Sequence, residues 1–429
     1  MLSQFGQVMV GQADSIMVGQ LGTIPLAAAT LANSIFVVVM IFGIGANFSI
    51  SPLIANAVGE KNEHRIAAIL KHALILSGVL GFILMAIVQV FLMNINNMGQ
   101  DPRVAEAASE YLFTLNLGMV PMMLFFSIRQ FTEGLSITKP AMIMTLIGNT
   151  INIGFNYLLI YGKWGFPEMG LVGAGWATFI SRWVMFIPFL IYVMKQEPFA
   201  HHWRNIVWKG WDKLLSSRLI KIGIPTGLQM IFEVGAFAFA SMMTGWISPE
   251  AQAAHNIAIS LASISYMIAS GLAAATTVRV GNQLGRKDFH NLKVASVTSY
   301  KIATVVMVLF GVIFLVFKDA LPLLYIQNSE VTTIASQLLL IAVMFQLSDG
   351  FQAIALAALR GLTDVKTPTI ITFIAYWIIA LPLGYVFGIV LHKGAMGVWY
   401  GLAVGLTVSA ILLSKRFFSQ VSKLHQKWS

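Results

Sequence analysis

Cysteine is absent from this 429-residue chain, and charged residues make up only 10% of it. The first absence excludes a disulfide framework, thiolate metal sites and cysteine catalysis. The second falls far below the roughly one quarter of charged residues that soluble domains carry. Apolar residues fill the gap, at 57% of the sequence. One soluble core cannot bury that much apolar surface. Runs of about 20 apolar residues, the length that spans a bilayer as a helix, recur from end to end. The chain is read as an all-α integral membrane protein with the lipid bilayer as its surroundings.

Twelve apolar segments are expected, over 1–21, 26–48, 66–93, 108–131, 141–161, 170–194, 219–246, 251–273, 293–317, 333–357, 370–391 and 395–414. The net charge is +10, which in a soluble protein would suggest nucleic acid. Here it is a topology signal. Of the 27 Lys and Arg residues, 22 lie in alternate connections and the tail, four (Arg103, Lys163, Lys318, Lys393) lie in the opposite set, and Arg182 falls inside a span. Positive charge accumulates in cytoplasmic loops. Both termini and the 195–221 stretch are therefore expected on the cytoplasmic side, with no nucleic-acid partner.

Segment 1–21 carries Gln4, Gln7, Gln12, Asp14 and Gln20. It has no basic leader and no small-residue cleavage site, so it is not a signal peptide. A span this polar and short must be buried among other helices. Its native start is expected upstream, or its cytoplasmic end truncated.

The two halves resemble each other at a nearly constant offset. Gly19 matches Gly245, Ala27-Ala28 matches Ala253-Ala254, and Gly59-x-Lys61 matches Gly285-x-Lys287. Later, Gly134-Leu135 matches Gly361-Leu362, and Gly170 and Gly173 match Gly394 and Gly397. Each unit has an even number of spans, so the two six-helix repeats lie parallel in the membrane. That is a transporter architecture, with the substrate site at the repeat interface. The expected layout is a first lobe over 1–194, a cytoplasmic linker over 195–218, a second lobe over 219–414 and a cytoplasmic tail over 415–429.

Three acids fall inside apolar spans: Asp14, Glu233 and Asp349. A carboxylate near the bilayer centre costs roughly 2.5–3.5 kcal/mol on insertion scales, and such residues mark ion or proton pathways by default. Asn149, Asn152 and Asn156 share one helix face at i, i+3, i+7. Thr178 and Arg182 form a second polar stripe, and Arg182 requires a partner. The amides read equally as helix-to-helix ties, as oxygen ligands for a hard cation such as Na⁺, or as tuners of a carboxylate's proton affinity. In the second half, Gln229 shares a face with Glu233, and Gln346 shares one with Asp349. His255 reads first as a structural histidine. Asp14 has Ala240 as its repeat partner, so the acids are not symmetry mates. Pro52, Pro121, Pro225 and Pro382 are expected kinks.

Several stretches resemble one family. They are Asp14-Ser-Ile-Met-Val-Gly19, Asn152-Ile-Gly-Phe-Asn156 with Tyr161-Gly162-Lys163, Gly173-Ala-Gly-Trp-Ala-Thr178, Gly223-Ile-Pro225, Phe232-Glu233, Arg279-Val-Gly281-Asn-Gln-Leu-Gly285, Leu359-Arg360-Gly361 and Tyr376-Trp377. Together they are similar to multidrug and toxic compound extrusion (MATE) transporters, nearest the NorM-like branch, over about residues 4–405. The resemblance implies twelve helices in two six-helix lobes around a central cleft. It implies export of small organic, often cationic, substrates in exchange for Na⁺ or H⁺ across the bacterial inner membrane, with no cofactor besides the coupling ion. It places a cation or proton site, able to take Na⁺, on Asp14, Asn152, Asn156 and Thr178. It also places a second-lobe cation site or substrate counter-charge on Glu233 and Asp349, with Asn149, Arg182, Gln229 and His255 in support. Sodium-coupled members have a tyrosine one turn before the second of these acids, where this chain has Phe345; a phenyl ring donates no oxygen ligand. The protein is expected to be monomeric.

A lipid-linked oligosaccharide flippase of the same superfamily is the alternative. It would call for a strongly cationic cavity, and Arg182 is the one mid-span cation. An integral-membrane enzyme finds no support, since no H-E-x-x-H, G-x-S-x-G or P-loop sequence occurs.

Overall fold

In the computed structural model, residue 11 and residues 14–428 are described. Helix α1 covers 14–19; the remainder of segment 1–21, including Gln4, Gln7 and Gln12, lies outside the described residues. Next come α2 (Thr23–Asn47) with α3 (Ile50–Gly59), then α4 (Glu63–Asn94), and then α5 (Pro102–Leu117) with α6 (Met119–Gly134). They are followed by α7 (Lys139–Tyr161), α8 (Gly170–Lys195) and the short α9 (Phe199–Arg204). The second half holds α10 (Lys213–Ile247), α11 (Pro249–Gly285), α12 (Phe289–Phe317) and α13 (Ser329–Gly361). Helices α14 (Lys366–Phe373) and α15 (Leu381–Tyr385) follow, each continued by a π-helical stretch (Ile374–Ala380 and Val386–Val390), before α16 (Gly394–Trp428). Among the described residues eleven helical spans are long and apolar enough to cross a membrane. They match the second to twelfth expected segments in order.

The helices outrun their apolar windows, because caps rather than hydropathy set their ends. Asn62, Asp101, Ser248, Asp288 and Asn328 each accept a backbone N–H of the first turn that follows, supplying the acceptor that a helix start lacks. At Asp288, in the turn before α12, backbone and side-chain bonds from Asn291 hold the carboxyl below its ordinary range. Three of the four expected kink prolines follow an interruption: Pro52 after Phe48-Ser49, Pro121 after Gly118, and Pro382 after a π-helical stretch. There a missing N–H costs least. Pro225 instead sits inside an unbroken α10.

The repeat recurs in the backbone. Lys61 and Lys287, 226 residues apart, both adopt left-handed φ, of 55° and 60°. Each closes a helix in the same way, with Asn62 N–H donating to Ala57 O and Asp288 N–H to Gln283 O, both at 3.0 Å. Ser136 and Thr363 repeat this closure at φ 65° and 60°, with Ile137 N–H to Thr132 O and Asp364 N–H to Leu359 O, both at 2.9 Å. A Cβ on Gly134 would lie 2.7 Å from Ile54 Cβ, and one on Gly361 would lie 2.7 Å from Val280 Cβ. The same helix crossing is therefore built twice.

The chain forms two compact units, Met1–Gly227 and Leu228–Ser429. The division falls inside α10, not in the 195–218 connection, which is tied to the first unit. Buried Lys71 donates to Val207 O at 2.8 Å and Gly210 O at 2.6 Å. His202 Nδ1 lies 2.9 Å from Glu63 Oε2. In the second unit, a core of Ala236, Ala240, Leu338, Ala342, Tyr376, Trp399 and Leu406 is fully buried. Backbone contact closes one side of it, since a Cβ on Gly401 would lie 2.3 Å from Gly384 N and 2.5 Å from Ala380 O.

Gly401→Ala should therefore lower the thermal midpoint of the detergent-solubilised protein, by a loss of about 1–3 kcal/mol from overpacking. Gly154→Ala, where the added Cβ meets nothing within 4 Å, should leave that midpoint unchanged or slightly raised.

Candidate cation and substrate sites

In the first unit the site rests on the close pairing of α7 and α8. Gly162 ends α7 at φ 62°, and Met169 N–H turns back onto Leu159 O at 2.8 Å. A Cβ on Gly173 would lie 2.5 Å from that same carbonyl, so only glycine lets the helices approach this closely. The approach brings the α7 amide face against Thr178. Asn152 Nδ2 donates to Thr178 Oγ1 at 3.2 Å, Asn156 Nδ2 donates to Asn152 Oδ1 at 3.2 Å, and Asn156 Nδ2 also donates to Asp14 Oδ1. Asn152 and Asn156 are buried, and Asn156 Oδ1 has no hydrogen-bond partner among the described residues. A buried unpaired oxygen beside a carboxylate and a hydroxyl suits a hard cation, which takes oxygen ligands. Among the described residues no cluster of three or more His, Asp or Glu could hold a metal, so any Na⁺ here would need amide and hydroxyl oxygens beside the single Asp14 carboxylate. Tyr161 Oη reaches α1 as well, bonding Gln20 Oε1 at 2.7 Å and Met17 O at 3.1 Å. Asn149 is on the same helix, with its Nδ2 unpaired among the described residues.

Arg182 finds its partners in a backbone carbonyl and a ring. Its Nη1 donates to Leu115 O at 2.8 Å, and its guanidinium carbon sits 4.6 Å from the centre of the Phe36 ring. The carbonyl is accessible because the helix breaks at Gly118 between α5 and α6. A Cβ on Gly118 would lie 2.7 Å from Arg182 Cδ. Asp14 and buried Tyr111 act on Arg182 electrostatically, and Asn33 bonds the Tyr111 hydroxyl. Sequence reasoning did not single out Tyr111 or Asn33. The available signal was the face formed by Tyr111, Leu115 and Gly118 at i, i+4, i+7.

In the second unit, Glu233 on α10 accepts a hydrogen bond from Tyr266 Oη of α11 at 3.4 Å. Glu233 also interacts electrostatically with Asp349 and Arg360 of α13. Buried Tyr376, in the first π-helical stretch, feels both acids and accepts from Gln352 Nε2 at 2.8 Å. Trp377 Nε1 donates to Phe232 O at 3.0 Å, fixing the backbone beside Glu233. Tyr266 and Gln352 are the residues that sequence reasoning missed here. Gln229 is buried one turn before Glu233. Gln346 is occupied elsewhere, donating to Ser265 Oγ at 2.9 Å. His255 is buried and accepts from Trp399 Nε1 at 3.0 Å. Phe345 packs on that indole with ring centres 5.6 Å apart.

Comparison with known proteins places the chain in a family. The MatE family model matches residues 1–158 and 225–386. A multidrug resistance protein NorM of Photobacterium profundum is 34% identical over 420 residues, covering 97% of this chain and 92% of that protein. A multidrug resistance protein MdtK of Photorhabdus laumondii is 34% identical over 427 residues, with the same coverage of both chains. A crystal structure of a MATE protein in the bent conformation superposes with a TM-score of 0.90 at 22% identity, covering 100% of this chain and 94% of that one. The chain belongs to the MatE family of multi-pass membrane transporters and is not an enzyme.

Proposed function

We propose that the protein is a secondary antiporter of the bacterial inner membrane that exports small organic, often cationic, compounds in exchange for Na⁺ or H⁺. The observation that carries this reading is the polar line Asp14–Asn156–Asn152–Thr178, which joins α1, α7 and α8 and carries a buried oxygen, Asn156 Oδ1, unpaired among the described residues. Asp14 is the coupling residue: its carboxylate takes either a proton or, with the neighbouring amide and hydroxyl oxygens, Na⁺. The relatives' description as multidrug resistance proteins supports the export of varied small compounds.

Glu233 and Asp349 supply negative charge toward cationic substrates, with Tyr266 orienting Glu233. Arg182 is a positioning residue, engaged by Leu115 and Phe36. The chain acts as a monomer, with lobes 1–194 and 219–414, the 195–218 linker, the 415–429 tail and both termini on the cytoplasmic side. Ion and substrate must differ in their affinities for the two access states, or neither can shift the equilibrium.

Asp14→Asn, at retained membrane expression, should abolish ion-driven efflux of a fluorescent organic cation from vesicles under separately imposed Na⁺ and proton gradients. The gradient that drives the parent protein identifies the coupling ion, and undiminished efflux by Asp14→Asn would refute the assignment. Glu233→Gln should weaken export of cationic compounds more than that of neutral ones, read as the ratio of the two initial rates. An equal loss for both classes would make Glu233 a structural residue.

A further inference from the structure

Eight consecutive residues, Val207 to Leu214, are exposed in the connection after α9 and the first two positions of α10. Val207, Trp208, Trp211 and Leu214 are apolar and 70%, 58%, 45% and 82% exposed. Around the spans, lipid tails account for exposed apolar side chains. This stretch is instead in a connection that the charge distribution puts on the cytoplasmic side, where water alone would leave two tryptophans and a leucine uncovered.

The exposure is built in. Lys71 holds the backbone through Val207 O and Gly210 O, Asp212 N–H donates to His72 Nε2 at 3.1 Å, and the His72 ring lies 4.5 Å from that of Trp211. Gly210, at φ 80°, makes the turn between them. Anchored in this way, the connection packs one face of Trp211 on His72 and leaves Val207, Trp208 and Leu214 mostly outside.

Two further features say what covers them. Lys71 is within about 12 Å of the start of α4 at helical rise, and Lys213 begins α10, so the stretch lies beside the first turns of two spanning helices. Lys209 and Lys213 alternate with the apolar residues, and neither forms an ion pair with a described residue. Tryptophan concentrates at the membrane–water interface, and cations close to the cytoplasmic leaflet attract anionic lipid.

We infer that residues 207–214 form a seat for anionic phospholipid headgroups of the cytoplasmic leaflet. Trp208, Trp211, Val207 and Leu214 enter the interface, and Lys209 and Lys213 meet the phosphates. The inference rests on the cytoplasmic placement of the connection and is independent of the coupling ion.

The cysteine-free chain makes the test direct. Val207→Cys and Leu214→Cys are spin-labelled singly in nanodiscs of phosphatidylcholine, with or without phosphatidylglycerol, and their accessibility to oxygen and to a nickel chelate is measured. Labels at headgroup depth, deeper with phosphatidylglycerol, are the expected result. About 1 kcal/mol per lysine is about fivefold, so adding both Lys209→Gln and Lys213→Gln should cut the preference for the anionic lipid by about twenty-fivefold.

Equal depth in both compositions would overturn the role of the lysines, and full nickel accessibility in both would overturn the seat itself. Immobilisation that rises with protein concentration while the label stays aqueous would assign the patch to a second copy instead. Modification of either cysteine by an impermeant maleimide in intact cells would overturn the leaflet. None of these readouts depends on transport, so failure here is separable from failure of the antiport reading.

Discussion

Lipid offers no hydrogen bonds, so the polar atoms that this chain takes into the bilayer find their partners mainly within the chain itself. Most of the described architecture follows from that constraint. Asn152 and Asn156 bond to each other, to Thr178 and to Asp14. The break at Gly118 opens a carbonyl, and Arg182 uses it. Outside the bilayer the rule relaxes, and exposed Asp319 bonds to Lys318 and Ser336, which hold its carboxyl below the usual range.

The two halves share a skeleton and differ in chemistry. Left-handed helix ends at Lys61 and Lys287, and at Ser136 and Thr363, recur with the same hydrogen bonds. The polar groups do not. Asp14 corresponds to Ala240, which is fully buried in an apolar cluster. In the second unit the acids come from α10 and α13 and meet a tyrosine from α11. Main-chain geometry has been kept through duplication, and buried charge has been placed separately in each half.

The sequence made the fold legible because a membrane helix declares itself by length and apolar content. The order of eleven spans, the duplication and the acids that interrupt them could all be read directly. Helix ends could not, since a cap such as Asn62 or Asn328 lies outside the hydropathy window. The first site was legible because its amides repeat at helical spacing. Tyr266 and Tyr111 were not, because one tyrosine in a long apolar helix carries no periodic mark. The partners of Arg182 were hidden for another reason: a carbonyl and a ring face have no signature in composition.

The length of α16 has a mechanical consequence. From Gly394 to Trp428 it is one uninterrupted helix of 35 residues, about 52 Å long against a hydrocarbon layer about 30 Å thick. Its last fourteen residues extend about 21 Å and carry Lys415, Arg416 and Lys423. Arg416 is clamped to Asp364 at 2.8 Å. The terminal positive charge is thus carried on a stiff rod fixed in azimuth, and any rotation of that helix would sweep its charges through a defined arc.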